Sequence, residues 1–309
     1  VTAALALAAA AAPPAASAPP AASAPPAGTA VDHQTYGRFG QVAIYRRGQV
    51  PKGGVVLLVS GEEGWDARAE ALAHSLASLD ALVIGLDLDF YLRKMERLTQ
   101  DCSYPAGDFE MLSKLVQKKL ELPVYTPPVL AGFGAGATLA YGALAQAPAG
   151  SFAGAISLGF CPELETRHPL CTGRGLGSKP LPGGGSYQLL PVASLDQPWL
   201  VVPGVAGGSC PAQTAEAFAA KVKGAAVISP PRSSGHHQAS PELRAASGLK
   251  QAYLRVINTA DISRPPESAV RRSLADLPLL ELPEPGSTGD TLAVIVSGDG
   301  GWAGLDRDV

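Results

Sequence analysis

No apolar run in this 309-residue chain approaches the roughly 20 residues that a membrane helix needs. The longest, Val1 to Ala12, is interrupted by Thr2 and stops at Pro13. Basic charge is not in excess either. Lys and Arg number 24 against 27 Asp and Glu, and the formal net charge of -3 leaves no electrostatic footprint for nucleic acid. No two of the four cysteines form a C-x-x-C pair, so a zinc knuckle or thioredoxin-type motif is not expected, and no metal or cofactor is implied. Aromatic residues are scarce at 6% and charged residues reach only 17%, but 46% of the chain is hydrophobic, ample for a core. The length allows about two domains.

Both ends read as cut or processed. Residues 1–30 hold 16 Ala and 6 Pro, and the first charge is Asp32. Thr2 to Ala12 reads as the apolar segment of a secretory signal, and Pro13 to Ala30 as an extended Pro/Ala/Ser linker that cannot build a core. The basic segment that should precede it is missing, so the start is expected to be internal or the chain a fragment. The alternative is one low-complexity tail with no targeting role. Cys102, Cys161, Cys171 and Cys210 favour export, because disulfides persist in oxidising compartments. Cys161 and Cys171 bracket a short polar loop with Pro162 and Pro169 and are the expected pair, which leaves Cys102 for Cys210. The competing expectation is four reduced thiols in a cytosolic protein.

Strand and helix signals alternate from residue 31 onward. Val42 to Tyr45, Val55 to Val59, Ala81 to Leu86, Val129 to Ala131, Ala153 to Leu158, Trp199 to Val202 and Ala225 to Ile228 read as strands. Val55 to Val59 carries no charge, as a parallel strand buried on both faces should. Helices are expected after Asp66, where Ala69, Leu72, Leu76 and Leu79 share a face, and around Phe109, Leu112, Val116 and Leu120. Two more fall at Ala137 to Ala147 and Pro211 to Lys223. Thr172 to Ser186, rich in Gly and Pro, should be a surface loop. The class is α/β with a mostly parallel sheet flanked by helices.

A repeat appears near the end. Val59-Ser60-Gly61-Glu62-Glu63-Gly64-Trp65 recurs 237 residues later as Val296-Ser297-Gly298-Asp299-Gly300-Gly301-Trp302, each copy after an apolar strand. So long a period is a duplicated domain rather than a solenoid. The expected organisation is a tail over 1–30, a first domain over 31–262, a Pro-rich linker over 263–290, and the first strand of a second, truncated copy over 291–309.

Gly132-Phe133-Gly134-Ala135-Gly136 stands between strand and helix, where α/β-hydrolases hold the nucleophile elbow G-x-S-x-G. Its centre is Gly134, which meets the backbone demand of the turn but has no hydroxyl to attack an acyl carbon. The acid should follow Trp199 to Val202, and Pro203 to Cys210 contains no carboxylate. A histidine should follow the last strand, where His236 and His237 stand, either as a catalytic remnant or as exposed loop residues. The Ser60 to Trp65 loop occupies the place of an oxyanion-hole amide; with Gly134 opposite, a plain strand-to-helix turn is the simpler expectation. Two rival chemistries are weaker. Gly132 to Ala137 fits the dinucleotide pattern G-x-G-x-x-A, but in the third strand–helix unit and with no acid after Ile156-Ser157-Leu158. Glu62, Glu63, Asp87 and Asp89, with His236 and His237, could line a metal or paired-carboxylate site, although acids at strand ends commonly open helices.

Asp101-Cys102-Ser103-Tyr104, Ala131 to Ala137, Leu158-Gly159-Phe160-Cys161-Pro162 and Ser297 to Trp302 together carry a resemblance that runs from about residue 32 to the end. The chain resembles the bacterial virulence protein family called VirJ or AcvB, in its two-domain form. The resemblance implies a periplasmic protein with two α/β-hydrolase-like domains. It also implies a G-x-S-x-G serine in the C-terminal domain and hydrolysis of aminoacylated phosphatidylglycerol, linked to virulence or acid tolerance. Of that second domain the sequence holds only the opening loop, with Gly298, Asp299, Gly300 and Gly301 as its candidate oxyanion residues; serine, acid and histidine are expected beyond Val309. The expected function is a non-catalytic N-terminal domain of an exported serine hydrolase, with a scaffolding or binding role. The implied partners are a phospholipid head group at the second domain and periplasmic proteins. The alternatives are a periplasmic interaction protein tied to virulence or secretion, and an atypical hydrolase using His236 or His237.

Overall fold

The structure is a computed structural model and describes residues 28–97, 100–203, 210–229 and 240–263. The tail over 1–27, the two histidines at 236 and 237, and the linker and second copy from 264 onward lie outside those residues. The chain opens with β1 (Ala30–Tyr36), a 3-10 turn (Gly37–Phe39) and β2 (Gly40–Arg46). It continues through β3 (Val55–Val59), α1 (Ala67–Ala77), β4 (Leu82–Leu86), α2 (Leu88–Met95) and α3 (Pro105–Lys119). Then come β5 (Val129–Phe133), α4 (Ala135–Gln146) and β6 (Gly154–Leu158). Three short strands follow, β7 (Glu163–Glu165), β8 (Ser178–Pro180) and β9 (Ser186–Leu189), before β10 (Ser194–Val202), α5 (Ala212–Ala219), β11 (Lys223–Val227) and α6 (Pro241–Ser263).

Eight strands form the main sheet in the order β1-β2-β4-β3-β5-β6-β10-β11. The β1–β2 hairpin is antiparallel and β2 runs antiparallel to β4; every other pairing is parallel. The central strands β3, β4, β5 and β6 are buried at every position, because helices cover both faces. Alternate residues serve the two layers. Val55, Leu57 and Val59 pack with residues of α2, α3, α4 and α5, while Val56 and Leu58 pack with residues of α1 and α6. The order β4-β3-β5 sends the chain to one side after β3 and to the other after β5. The carboxyl ends of β3 and β5 are therefore the topological switch point, the place where open α/β sheets put their sites.

The insertion between β6 and β10 differs from a plain surface loop over Thr172 to Ser186. It folds as a separate sheet in the order β7-β9-β8, and Leu164, Leu170, Leu176 and Leu189 are buried with the core. Its anchor is α4. A Cβ added to Gly142 would lie 2.5 Å from a methyl of Leu170. The Tyr141 hydroxyl donates to the Leu190 carbonyl and accepts from the Val192 amide, both at 3.0 Å. Burial pushes that phenol up to about 12, with the Val192 N–H pulling the other way.

Both disulfides form, with a pairing other than the expected one. Cys102 joins Cys171 and Cys161 joins Cys210; Cys161 does not pair with Cys171. The reason lies in the topology. Ser103 and Leu170 form a bridge, with Ser103 N–H on Pro169 and Cys171 N–H on Ser103, which brings Cys102 beside Cys171 at 4.9 Å between Cα atoms. Cys161 follows β6 and Cys210 follows the neighbouring β10, and their Cα atoms are 5.3 Å apart. These separations of 69 and 49 residues close much longer loops than the nine residues between Cys161 and Cys171. In the chain-entropy account each is worth about 4 kcal/mol. Non-reducing peptide mapping of the oxidised protein should recover Cys102–Cys171 and Cys161–Cys210 peptides. Recovery of a Cys161–Cys171 peptide would overturn this topology around α4.

Candidate functional site

At this switch point, β5 runs into α4 through one residue. Gly134 has φ 57° and ψ -130°, a conformation that costs a side-chain-bearing residue strain and costs glycine little. Its N–H donates to the Leu158 carbonyl at 3.1 Å, which ties the turn to the end of β6. The flanking glycines are needed for close approach. A Cβ on Gly132 would sit 2.2 Å from the Gly136 carbonyl oxygen, and one on Gly136 would sit 2.1 Å from the Ser60 carbonyl oxygen. A sharp strand–turn–helix junction on a central strand of a mostly parallel sheet, with a left-handed residue at its apex, is the nucleophile-elbow arrangement. The fold is that of the α/β-hydrolases.

The loop between β3 and α1 lies against this junction, and most of its residues have packing duties. The buried Ser60 hydroxyl accepts from the Leu88 amide at 2.9 Å and so fastens the β3 end to the start of α2. Gly61 leaves room for the Phe133 ring, 2.8 Å from where its Cβ would be. Gly64 has φ 75° and sits against the Asp87 carboxylate. The Trp65 ring covers Gly85 of β4, where a Cβ would come within 2.2 Å of it. Glu62 instead reaches the elbow with its side chain, at a backbone amide. Its Oε1 accepts the Ala135 N–H at 2.9 Å, across 73 residues of sequence.

Of the other carboxylates considered for a metal or paired-acid site, Asp87 and Asp89 serve α2. Asp87 caps α2 by accepting the Phe90 amide at 2.8 Å, and Asp89 pairs with Arg93 one turn on. Glu63 is exposed. Among the described residues no group of three His, Cys, Asp or Glu side chains is placed to hold a metal ion. The position of a triad acid follows β10, where Pro203 is described and 204–209 are not; the sequence there contains no Asp or Glu. His236, His237, Gly298, Asp299, Gly300 and Gly301 lie outside the described residues. A shallow depression lined by Leu144, Phe152, Arg174, Leu195 and Asp196 opens at the amino ends of the strands, the opposite end of the sheet from Gly134.

The role of Glu62 was not visible from the sequence, because its partner is a backbone amide far along the chain. One signal pointed to a vacancy. With glycine at the N-cap and no acid in its first turn, α4 lacks a local cap, so its first amides must find an acceptor elsewhere.

No known family profile matches the chain, and no curated protein matches it. Solved structures with similar folds are found among hydrolases. A Lactobacillus plantarum protein assigned as a carboxylesterase is 14% identical with a TM-score of 0.48, over 76% of this chain and 99% of that one. Esterase 2 from Thermogutta terrifontis is 16% identical with a TM-score of 0.47, over 76% and 97%. A Klebsiella pneumoniae protein assigned as a dienelactone hydrolase is 15% identical with a TM-score of 0.46, over 75% and 98%. These likenesses concern the fold.

The close approaches predict the cost of filling them. Gly132→Ala or Gly136→Ala forces a methyl into backbone atoms and should destabilise by about 2 kcal/mol or more. Gly48→Ala, whose nearest atom is 3.9 Å away, should stay within about 0.5 kcal/mol. Chemical denaturation midpoints measure both, and equal midpoints for all three variants would contradict the elbow packing.

Proposed function

We propose that residues 31–262 form a non-catalytic α/β-hydrolase-like domain with a scaffolding or binding role, in an exported protein related to VirJ and AcvB. The observation that carries this reading is Gly134 at the apex of the elbow, where acyl-transfer enzymes present their hydroxyl. The absence of any carboxylate in Pro203 to Cys210 supports it, since a triad without nucleophile and acid retains little of its rate. Export is supported by the cysteines, all four of which are in disulfides. Among the described residues no helix is long and apolar enough to cross a membrane. Within such a protein this domain would position a partner or substrate for ester chemistry done elsewhere. In the VirJ/AcvB reading that chemistry acts on aminoacylated phosphatidylglycerol and belongs to the VirJ-type domain.

The full 309-residue chain should show no serine labelled by a fluorophosphonate probe and no hydrolysis of p-nitrophenyl acetate above background. Labelling abolished by replacing one specific serine would refute the non-catalytic reading. Gly134→Ser alone should remain at least about 10⁴-fold below a complete triad, because the acid is still missing.

A further inference from the structure

In acyl-transfer elbows the oxyanion is held by two N–H groups, one from the residue after the nucleophile and one from the loop after the third strand. Here the residue after the apex is Ala135, and the loop after β3 presents an acceptor to it instead of a second donor. The Glu62 carboxylate takes the Ala135 N–H at 2.9 Å. We propose that Glu62 is a built-in occupant of the oxyanion hole, an internal carboxylate that satisfies the hole and closes it to other anions.

Three observations carry this together. The Gly134 backbone has the elbow conformation, so the Ala135 amide is aimed as an oxyanion donor would be. The first turn of α4 contains no capping side chain and no acid of its own, which leaves the positive end of a 12-residue helix to be matched by a charge from outside. The loop that brings the charge is held in place independently of it. Gly61 and Gly64 form a bridge, Gly61 packs on Phe133, and Ser60 is fastened to Leu88. Glu62 is thus delivered to the amide by the packing of its neighbours, and its exposed carboxylate needs no burial to reach it. A second anion approaching Ala135 would meet a like charge at hydrogen-bond distance, so the polarity of the hole is inverted.

This inference deepens the non-catalytic reading and rests on it, since a working enzyme could not keep its oxyanion donor engaged. The test reads amide resonances in the full chain and involves no turnover, so it stands or falls separately from esterase assays. In the parent, the Ala135 amide proton should shift as a carboxylate protonates on acidification, and Glu62→Gln should abolish that inflection. Acetate added at neutral pH should leave the parent Ala135 and Gly134 amides unmoved. In Glu62→Ala it should move them saturably at millimolar concentration. Thermal unfolding of Glu62→Ala confirms that the variant is folded when it is titrated; if it is not, the same acetate titration is read on Glu62→Ser, whose side chain is too short to reach the amide. An Ala135 amide blind to acidification in the parent overturns the proposal. So does a folded variant lacking the carboxylate whose Ala135 amide ignores acetate, because the contact would then be a helix cap and no anion hole.

Discussion

The centre of this domain depends on how closely α4 lies on β3 and β5. Two glycines set that distance, with the backbone of Gly136 over the carbonyls of Val59 and Ser60, and Gly132 under the first turn of the helix. A helix so near the sheet presents small residues to it, and Ala137, Ala140 and Ala143 are buried. The outer side of the same helix is also enclosed, because the insertion after β6 lays Leu170, Leu176 and Leu189 across it. A helix buried all round loses the polar stripe of a surface helix, which is why α4 reads as a nearly uniform Ala/Gly/Leu run.

Enclosing a helix on all sides obliges its few polar groups to be paired, and those pairs place the insertion. The Gln146 amide donates to the carbonyls of Ser103 at 3.0 Å and Cys171 at 2.8 Å, at the bridge beside the Cys102–Cys171 disulfide. Thr138 donates to the Cys161 carbonyl at the other end, where the second disulfide begins. Ser157 donates to Ala137 at 2.8 Å and accepts the Trp199 indole at 3.0 Å, which sets the ring among Tyr141, Phe160 and Phe218. Each covalent link therefore closes over a hydrogen-bonded corner of α4, and removing one partner of such a pair leaves a buried polar group with nothing to replace it.

This explains which parts were legible in the sequence. Strands buried on both faces, Val55–Val59 and Leu82–Leu86 among them, announce themselves as unbroken apolar runs. α1 was legible from its apolar face at helical spacing, with Asp66 capping it by accepting the Ala69 amide at 2.9 Å. β1 was not legible, because an edge strand exposed along most of its length carries no core pattern. The short α2 escaped notice although Leu88, Tyr91 and Met95 share a buried face at helical spacing. The cysteine pairing failed for a different reason. Closeness in sequence is not closeness in space here, and the partners are set by which strands are neighbours and by a bridge between segments 67 residues apart. Of the site, the glycine frame was readable and its occupant was not, since no sequence pattern links Glu62 to the amide of Ala135.

The recurrence of the β3 loop motif near the end of the chain takes on a definite meaning in this light. The residues identical in both copies are Val59, Ser60, Gly61, Gly64 and Trp65, matched by Val296, Ser297, Gly298, Gly301 and Trp302. In the first copy each of them has a packing role: a core strand end, a hydroxyl fastening the next helix, room for Phe133, a left-handed turn against Asp87, and a cover for Gly85. The two positions that differ in sequence, Glu62 and Glu63 against Asp299 and Gly300, are the ones exposed in the first copy. What recurs in the sequence are therefore the residue types that clamp the first loop against the elbow, and what changes are the two positions that the first loop leaves exposed. A conserved-looking motif beside an elbow is then evidence for the scaffold first, and the chemistry is to be sought in the residues that the scaffold leaves free to change.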